Sequence, residues 1–390
     1  MPNYRAPDIY VEEVATGPRP IGQVGTSTPA FVGRAPIPTK FPNEPRALNN
    51  WSEFLKEFCG DGAPAKSTDL SHAVFGFFQN KGTRCFAVDI GDAKSPAPGL
   101  TQLETIDEVA IVAAPGFVDA VSFADVAAHC AKMNDRVAIY DPPEDVAKIE
   151  HLLEVAVPKG EGAGAKSKGC RPPMSDKGDG AFYYPRIKVR DPLSQSTDPV
   201  TVPPSGHIAG IWARTDASRG VHKAPANEVI LGALDVQRRV TRGEQEVLNP
   251  AGVNCIRFFP TEGIRVWGAR TIAAEASEWR YLNVRRLFNM VEESIARGTR
   301  WVVFEPNDRP LWLDIIRDVS AFLRTIWRDG ALMGRTAEEA FFVQCDEETN
   351  PPESIDQGRV IIKVGIAPVK PAEFIVFRIG QYSGGVEIQA

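Results

Sequence analysis

The residues of this chain that could most readily take part in catalysis are Ser205 and His207, which lie two positions apart directly after two prolines. A hydroxyl beside an imidazole could supply a nucleophile and its general base, the pair that acyl transfer requires. No G-x-S-x-G sequence surrounds the serine, so the strained turn that exposes such a nucleophile is not predicted. Ser205 is better explained as the N-cap of a helix that runs to residue 214. We therefore interpret the pair as structural.

A second candidate is Asp141, in the run Asp141-Pro142-Pro143 after an apolar segment at residues 136–140. The carboxyl end of a parallel strand is where α/β enzymes bind their ligands. The alternative, which we favour, is a strand-to-helix turn with Pro143 in the first helical position. The neighbours His129 and Cys130 could form a thiolate–imidazole pair, but chance adjacency on one helix explains them better.

Two other patterns suggest cofactor or metal sites. Residues 160–167 resemble a phosphate-binding loop, but Ala165 stands where that motif needs a glycine before the lysine. The five histidines, at positions 72, 129, 151, 207 and 222, do not occur at metal-ligand spacing, and no H-E-x-x-H sequence is present. The sequence therefore predicts no enzyme activity, no cofactor and no metal site.

The bulk composition is that of a soluble globular protein, with 43% hydrophobic and 24% charged residues over 390 positions. A net charge of −6 argues against contact with nucleic acid. No apolar run approaches the roughly 20 residues of a membrane span, which predicts no direct membrane insertion. Six separated cysteines without a C-x-x-C pair, and a start that lacks a secretory signal, indicate reduced thiols in the cytosol.

Strands and helices alternate along the first two thirds of the chain. Strands are predicted at residues 28–33, 84–90, 108–113, 136–140 and 181–189. Helices are predicted at residues 51–58, 70–80, 121–133, 143–157 and 205–214. Continuous apolar strands separated by helices indicate βαβ units and a largely parallel sheet, so the fold class is α/β. Residues 158–180 have no apolar period and predict a mobile loop.

The pattern changes at residues 249–252, which we interpret as a domain boundary. Strands are predicted beyond it at residues 254–259, 263–267, 301–304, 341–345 and 359–364, with long helices at 280–297 and 310–328. The predicted organisation is an N-terminal arm (1–22), an α/β middle domain (23–250), an α+β domain (251–366) and a C-terminal arm (367–390).

Each end of the chain carries a strand-forming segment with no nearby partner in sequence. The apolar and flanking residues of these arm strands are Ile9, Tyr10, Val11, Glu12 and Val14 at the front, and Phe374, Ile375, Val376, Phe377 and Ile379 at the back. A lone strand leaves its backbone groups unpaired, which proteins normally avoid. We expect each arm to complete a sheet in another subunit, which predicts a polymer.

The second long helix also carries a basic strip. Arg317, Arg324 and Arg328 share one face, while the apolar residues of the helix face the core. Two interpretations remain open: an ordinary solvated face, or a surface that docks an acidic partner. An exposed ion pair adds at most about 1 kcal/mol, but a symmetric array repeats it in every subunit.

These segments together resemble one family. The front arm and its sequel, residues 4–14 and 25–33, are similar to the opening of the contractile tail sheath proteins of bacteriophages and related contractile injection systems. The similarity continues at residues 203–208, 219–227, 248–250, 263–271, 279–287, 301–307 and 346–381. It covers most of the chain outside residues 35–180.

The resemblance implies stacked hexameric rings of this chain around an inner tube protein, with baseplate and terminator proteins as further partners. It implies assembly in the bacterial cytoplasm and no nucleotide. The arms would join a sheet near Val360, Ile361, Ile362 and Val364 of a neighbour. The C-terminal domain would face the tube, which makes the basic strip a docking candidate, and the middle domain would lie further out.

The predicted arms suggest a mechanism. The arms would hold while the folded bodies rotate and slide, with the proline- and glycine-containing segments beside each arm as hinges. Two rival classes remain: a hydrolase or transferase on the α/β domain, and a non-contractile scaffold or shell protein that also exchanges arms.

Overall fold

The computed structural model describes residues 19–60, 66–158 and 169–376. Within them the chain forms two compact units. The larger contains Thr26–Arg286 and continues from Val369, and the smaller contains the segment up to Gly25 and Leu287–Pro368. The division falls within one helix, whose first turn belongs to the larger unit.

The described strands, in chain order, are β1 (Pro29–Gly33), β2 (Arg46–Leu48), β3 (Cys85–Asp89), β4 (Ile111–Ala113), β5 (Val137–Tyr140), β6 (Gly180–Tyr184), β7 (Ile187–Arg190), β8 (Pro199–Val202), β9 (Glu228–Val229), β10 (Ala233–Val236), β11 (Val253–Phe259), β12 (Gly263–Val266), β13 (Phe341–Gln344) and β14 (Lys363–Ile366). The described α-helices are α1 (Trp51–Phe54), α2 (Asp69–Gln79), α3 (Ala97–Gln102), α4 (Ala120–Met133), α5 (Ser205–Arg219), α6 (Arg242–Leu248), α7 (Leu282–Gly298), α8 (Arg309–Arg328), α9 (Ala337–Ala340) and α10 (Pro352–Asp356).

The larger unit is built on a nine-stranded sheet with the order β2-β3-β1-β4-β5-β6-β11-β12-β9. The six central strands, from β3 to β11, pair in parallel, and the strands outside them pair antiparallel. Strands buried on both faces need continuous apolar sequence, which is the pattern these segments carry. The α/β fold class predicted from the sequence is confirmed.

Alternate residues along each strand pack into two separate hydrophobic cores, one on each face of the sheet. On one face Phe31, Ile139 and Tyr183 pack in a cluster that also contains residues of α2 and α5. On the other face Val32 and Tyr140 pack with residues of α3 and α4. The helices therefore cover both faces of the sheet, as the period of two along each strand requires.

The smaller unit consists mainly of the last three turns of α7, the long helix α8 and a two-stranded antiparallel sheet. Helix α8 begins at the N-cap Asp308, whose side chain accepts a hydrogen bond from Leu311 N, and it buries one apolar face that includes Ile315, Val319 and Phe322. Strands β13 and β14 pair with Phe342 opposite Gly365. A side chain at position 365 would collide with the Phe342 ring, so the ring lies over the glycine.

Several predicted elements differ from the structure. Residues 143–157 form no α-helix; a 3-10 turn at Ile149–Leu152 replaces it. The predicted strand at 301–304 is a 3-10 turn at Arg300–Val302. Phe304 has a φ of +72° and a fully exposed side chain, because local turn bonds such as Val303 N to Arg300 O replace the ladder.

Two larger expectations concern the 158–180 segment and the domain boundary. In the described part of the segment, Cys170 N donates to His151 O at 2.8 Å and Arg171 N donates to Glu154 O at 3.0 Å, and the mobility of the segment stays a prediction. The structure divides between Arg286 and Leu287 rather than near residue 250. The reason is that β11 pairs in parallel with β6 and so extends the sheet of the larger unit.

Candidate inter-subunit interface

The front arm strand lies outside the described residues, so Ile9, Tyr10, Val11, Glu12 and Val14 stay predictions. The described chain starts at Arg19, and the segment up to Val24 rests on helices of the smaller unit. Arg19 N donates to Asp318 Oδ1 at 3.0 Å, and Val24 N donates to Ser294 Oγ at 3.0 Å. The predicted arm of residues 1–22 therefore ends in a segment that is bound to its own subunit.

The base of the back arm is fixed to the larger unit by Arg270, which is only 2% exposed. Its Nε donates to Glu373 Oε1 at 2.9 Å and its Nη2 to Glu373 Oε2 at 2.6 Å. The remaining Nη1 donates to Asn249 O at 3.0 Å. Asn283 Nδ2 adds a bond to Val369 O at 3.0 Å. A bidentate charge-assisted pair gives geometric specificity, so Glu373 defines where the arm leaves the body.

Beyond Glu373 the described arm is exposed and makes no strand pairing within the described chain. Phe374, Ile375 and Val376 have exposed fractions of 74%, 74% and 79%. Three consecutive large apolar side chains in water are what an unpaired interaction segment presents. Phe377 and Ile379, the other predicted back-arm residues, lie outside the described residues.

The predicted acceptor strand is displaced along the sequence. Val360, Ile361 and Ile362 lie before β14, and of the predicted set only Val364 lies within the strand. The cause is Asn350, whose Oδ1 accepts from Ile361 N at 2.6 Å and whose Nδ2 donates to Ile361 O at 3.1 Å. This side chain occupies the backbone groups that a ladder at position 361 would use.

Strand β14 nevertheless offers an edge. Among the described strands it pairs only with β13, so one side of its backbone faces no strand. The exposed apolar side chains nearby are Phe342, Ile361 and Val364. An open edge flanked by exposed apolar groups is suited to strand addition.

The basic strip divides into two kinds of arginine. Arg317 is already paired, with Nη1 at 2.8 Å from Asp314 Oδ1 and Nε at 3.2 Å from Asp318 Oδ1. Arg324 and Arg328 are exposed and form no salt bridge within the described part of the chain. A hydrogen bond from its own backbone lowers the pKa of the Glu338 carboxyl and nearby Arg324 lowers it further, so the charge of Arg324 is partly compensated within the subunit.

The serine and aspartate that suggested catalysis bind each other at the start of α5. Ser205 is the first residue of α5, not its N-cap, which corrects the sequence-based assignment. Asp141 Oδ1 accepts from Ser205 N at 2.8 Å, and Oδ2 accepts from Ser205 Oγ at 2.6 Å. Burial raises the pKa of Asp141 to about 7, against the lowering effect of the two Ser205 hydrogen bonds. Asp141 thus caps α5 across the sheet edge.

No catalytic pair forms from the histidines that the sequence singled out. His207 is buried, and neither ring nitrogen has a partner among the described residues. Its burial lowers its pKa to about 3, so the ring is neutral at pH 7. His129 Nε2 lies 3.3 Å from Arg136 Nη1, and burial raises the pKa of Cys130, which keeps that thiol protonated.

The described ranges offer no other kind of site that the sequence raised. Residues 19–60, 66–158 and 169–376 contain no group of three metal-ligating side chains. None of the described helices is both long enough and apolar enough to cross a membrane. The Gly-rich run at residues 160–167 lies in the undescribed gap.

Comparison with known proteins identifies the family. The phage tail sheath protein central domain matches residues 173–272, and the phage tail sheath C-terminal domain matches residues 274–381. A chain of the PVC sheath complex, an extracellular contractile injection system solved in the contracted state, is 30% identical over 98% of this chain and 99% of that chain, with a TM-score of 0.77. The chain belongs to the phage tail sheath family. The contracted helical sheath of the anti-feeding prophage (AFP) is 32% identical over 97% of this chain and 100% of that chain, with a TM-score of 0.75.

Curated relatives are matched over a shorter part of their length. A Pseudomonas aeruginosa (strain UCBPP-PA14) protein described as a prophage major tail sheath protein is 31% identical over 209 residues, which are 51% of this chain and 52% of that protein. The tail sheath protein of Vibrio phage KVP40 is 29% identical over 177 residues, 45% of this chain and 26% of that protein. The chain therefore spans about half, or less, of these sheath proteins' length.

Three residues of this sheath-family chain that hold the back-arm base or the segment before β14 were missed by sequence reasoning: Arg270, Asn283 and Asn350. Each is polar and buried, and the partners of Arg270 and Asn283 are distant in sequence. The only available signal is a polar residue inside an otherwise apolar segment, which does not say what it binds. Their partners depend on the tertiary fold.

Proposed function

We propose that this chain is the subunit of a contractile sheath, which polymerises as stacked hexameric rings around an inner tube and shortens to drive that tube through a target envelope. The observation that carries the proposal is the likeness, over almost the whole length, to sheath chains of two contractile particles. The exposed run at Phe374–Val376, projecting from a fixed base, supports it independently.

The arms link the subunits. An arm strand of about six residues forms about six backbone hydrogen bonds, each worth about 1 kcal/mol net. Burial of Phe374 and Ile375 against a neighbour adds about 2 kcal/mol for each side chain. The acceptor is the open edge of β14 in an adjacent copy, beside Phe342. Such links hold while the folded bodies change their packing.

Contraction is driven by interfaces between bodies. The long sheath is a trapped arrangement of higher free energy, and shortening releases interface free energy without nucleotide. The partners are further copies of this chain, an inner tube protein, and baseplate and terminator proteins, and the particle is assembled in the bacterial cytoplasm. Arg324 and Arg328 face the tube, since these two arginines are exposed and form no salt bridge within the described residues.

A non-contractile scaffold that exchanges arms is the second candidate, and the open β14 edge would serve it equally. The two functions differ in the particles that they form. A scaffold yields particles of one fixed length or closed shape. A contractile sheath yields striated cylinders with a long and a short state.

Deletion of residues 1–14 tests the role of the front arm. We expect a folded, soluble subunit with an unchanged circular dichroism spectrum, which forms no cylinders in negative-stain electron micrographs. A chain that lacks only residues 1–3 keeps Ile9–Val14 and serves as the control. Cylinders of normal length from the 1–14 deletion would contradict the linking role.

A further inference from the structure

The segment Arg19–Val24 is seated on its own subunit by contacts spread along its length. At one end Arg19 N donates to Asp318 Oδ1 at 3.0 Å, and the Arg19 guanidinium lies 3.8 Å from the centre of the Trp301 ring. At the other end Val24 N donates to Ser294 Oγ at 3.0 Å. All these residues belong to the smaller unit. The segment is therefore held at both ends.

The polar side chains that bind this segment, Ser294 and Asp318, are buried in helices; together with Gly298 they form what we call the seat of the segment. Ser294 is fully buried within α7, where its Oγ donates to Met290 O at 2.6 Å and accepts from Val24 N. Asp318 is 1% exposed within α8. A buried hydroxyl or carboxylate needs hydrogen-bond partners. Both side chains find one in the backbone of the segment.

The middle of the segment depends on a glycine. A side chain at position 298, the last residue of α7, would place its Cβ 2.7 Å from Ile21 Cγ1 and 3.0 Å from Ile21 Cβ. Real Cβ atoms do not approach so closely, so Gly298 leaves the space that Ile21 fills. A close approach of this kind is one reason for glycine near a helix end.

We propose that Arg19–Val24 is a permanent anchor: each sheath subunit keeps this segment on its own smaller unit, before assembly and in both lengths of the sheath. The proposal rests on the contractile function proposed above. It makes Ser294, Gly298 and Asp318 positioning residues for the front arm. It also removes Pro20 from the candidate hinges, because Pro20 lies between two anchored residues.

A pair of introduced thiols tests the anchor directly. Ile21→Cys with Gly298→Cys would place the two Cβ atoms 3.0 Å apart. Cβ atoms joined by a disulfide are about 3.5–4.5 Å apart, so the two residues must separate slightly for the bond to form. We expect oxidation to link positions 21 and 298 within one subunit, as read by peptide mass spectrometry, in free protein and in assembled sheath. The single variants control for native thiols. Failure to form this link in either state overturns the proposal.

The linked protein then tests whether the anchor ever releases. We expect oxidised and reduced double variant to give the same yield of cylinders and the same shortened fraction. Cylinders from the reduced protein alone would mean that the segment must leave its seat, which overturns the proposal. If neither the variants nor the unmodified chain forms cylinders, the contractile function fails, while the disulfide yield still reports on the anchor.

A second test, which does not depend on oxidation, enlarges the side chain at position 298 and then shortens the one at position 21. Gly298→Val should displace Ile21 and reduce the cylinder yield several-fold, and Ile21→Ala in the same chain should restore it. Gly243→Val is the matched control, because Gly243 also lies in a helix but has nothing within 4 Å of a built Cβ. Equal yields from the two glycine variants, or no rescue, would contradict the anchor.

Discussion

At the scale of single residues, the groups that looked chemical have structural roles. Asp141 and Ser205 lie close enough for proton transfer, but both oxygens of the carboxylate are bound to the first residue of α5. His207 lies buried two residues later and contacts neither as a hydrogen-bond partner. Sequence could predict that Ser205 begins a helix. It could not predict that Asp141 caps it, because the pair is joined only by the fold.

The buried histidine gives a testable dependence on pH. The unfolded chain protonates His207 near pH 6.5, whereas burial lowers its pKa in the folded chain to about 3, because the charged ring is disfavoured there. The unfolded state therefore binds the extra proton between these values, and folding stability falls as the pH falls. The loss from this group is about 2 kcal/mol between pH 7 and pH 5.

Asp141 changes folding stability with pH in the opposite direction to His207, so the measurement must separate the effect of His207 from that of Asp141. Its folded pKa of about 7 lies above the ordinary value of about 4, so its contribution to stability falls as the pH rises between these values. We expect His207→Leu to lose less stability than the unmodified chain between pH 7 and pH 5, in urea unfolding at both values. An identical loss in the two proteins would show that His207 is not held neutral.

Two exposed arginines of α8, Arg324 and Arg328, allow a test of the proposed contact with an inner tube. We expect Arg324→Glu with Arg328→Glu to abolish co-sedimentation with the purified inner tube at low salt, since two attractive charges become repulsive. The fold should be unaffected, because both side chains are exposed. Arg219→Glu with Arg242→Glu changes the net charge equally on exposed residues of the larger unit. Equal loss of binding in both variants would reject a tube-facing role for the strip.

At the scale of elements, the sequence predicted best where an element is fixed by its own apolar pattern. Strands β1, β3, β5 and β11 and helices α2, α4 and α8 follow the pattern closely. The strand predicted at residues 181–189 is instead divided into β6 and β7, which lie in different sheets. The sequence wrongly predicted strands at residues 301–304, which form a 3-10 turn, and at residues 359–362, where Asn350 binds the backbone of Ile361. In both places hydrogen bonds outside the segment, or within one turn, override its β propensity.

The base of the back arm predicts a measurable change in local opening. Glu373→Gln leaves Arg270 buried without a counter-charge, which weakens the bond that holds the arm base. We expect a nitroxide label on Ala372→Cys, an exposed position beside Glu373, to become more mobile in electron paramagnetic resonance spectra of the free subunit. Glu353→Gln, an exposed site on α10, is the control. Unchanged label mobility in the Glu373 variant would mean that Arg270 does not fix the arm.

At the scale of the whole molecule, the sequence predicts a polymer, because a strand-forming segment with no nearby partner in sequence occurs near each end. What it could not give was the position at which each arm becomes independent. The front segment is bound to the smaller unit through Val24, and the back segment is bound to the larger unit through Glu373. Parts of the predicted arms 1–22 and 367–390 are therefore bound to their own subunit, at Arg19, Val369 and Glu373.

The most direct measurement is a cryo-electron microscopy reconstruction of cylinders formed by the purified full-length chain. The account predicts that Phe374–Val376 of one subunit lie hydrogen-bonded along Lys363–Ile366 of another, with Glu373 still on Arg270 of its own body. A reconstruction in which both ends fold back onto their own subunit, and no strand passes between copies, would contradict it.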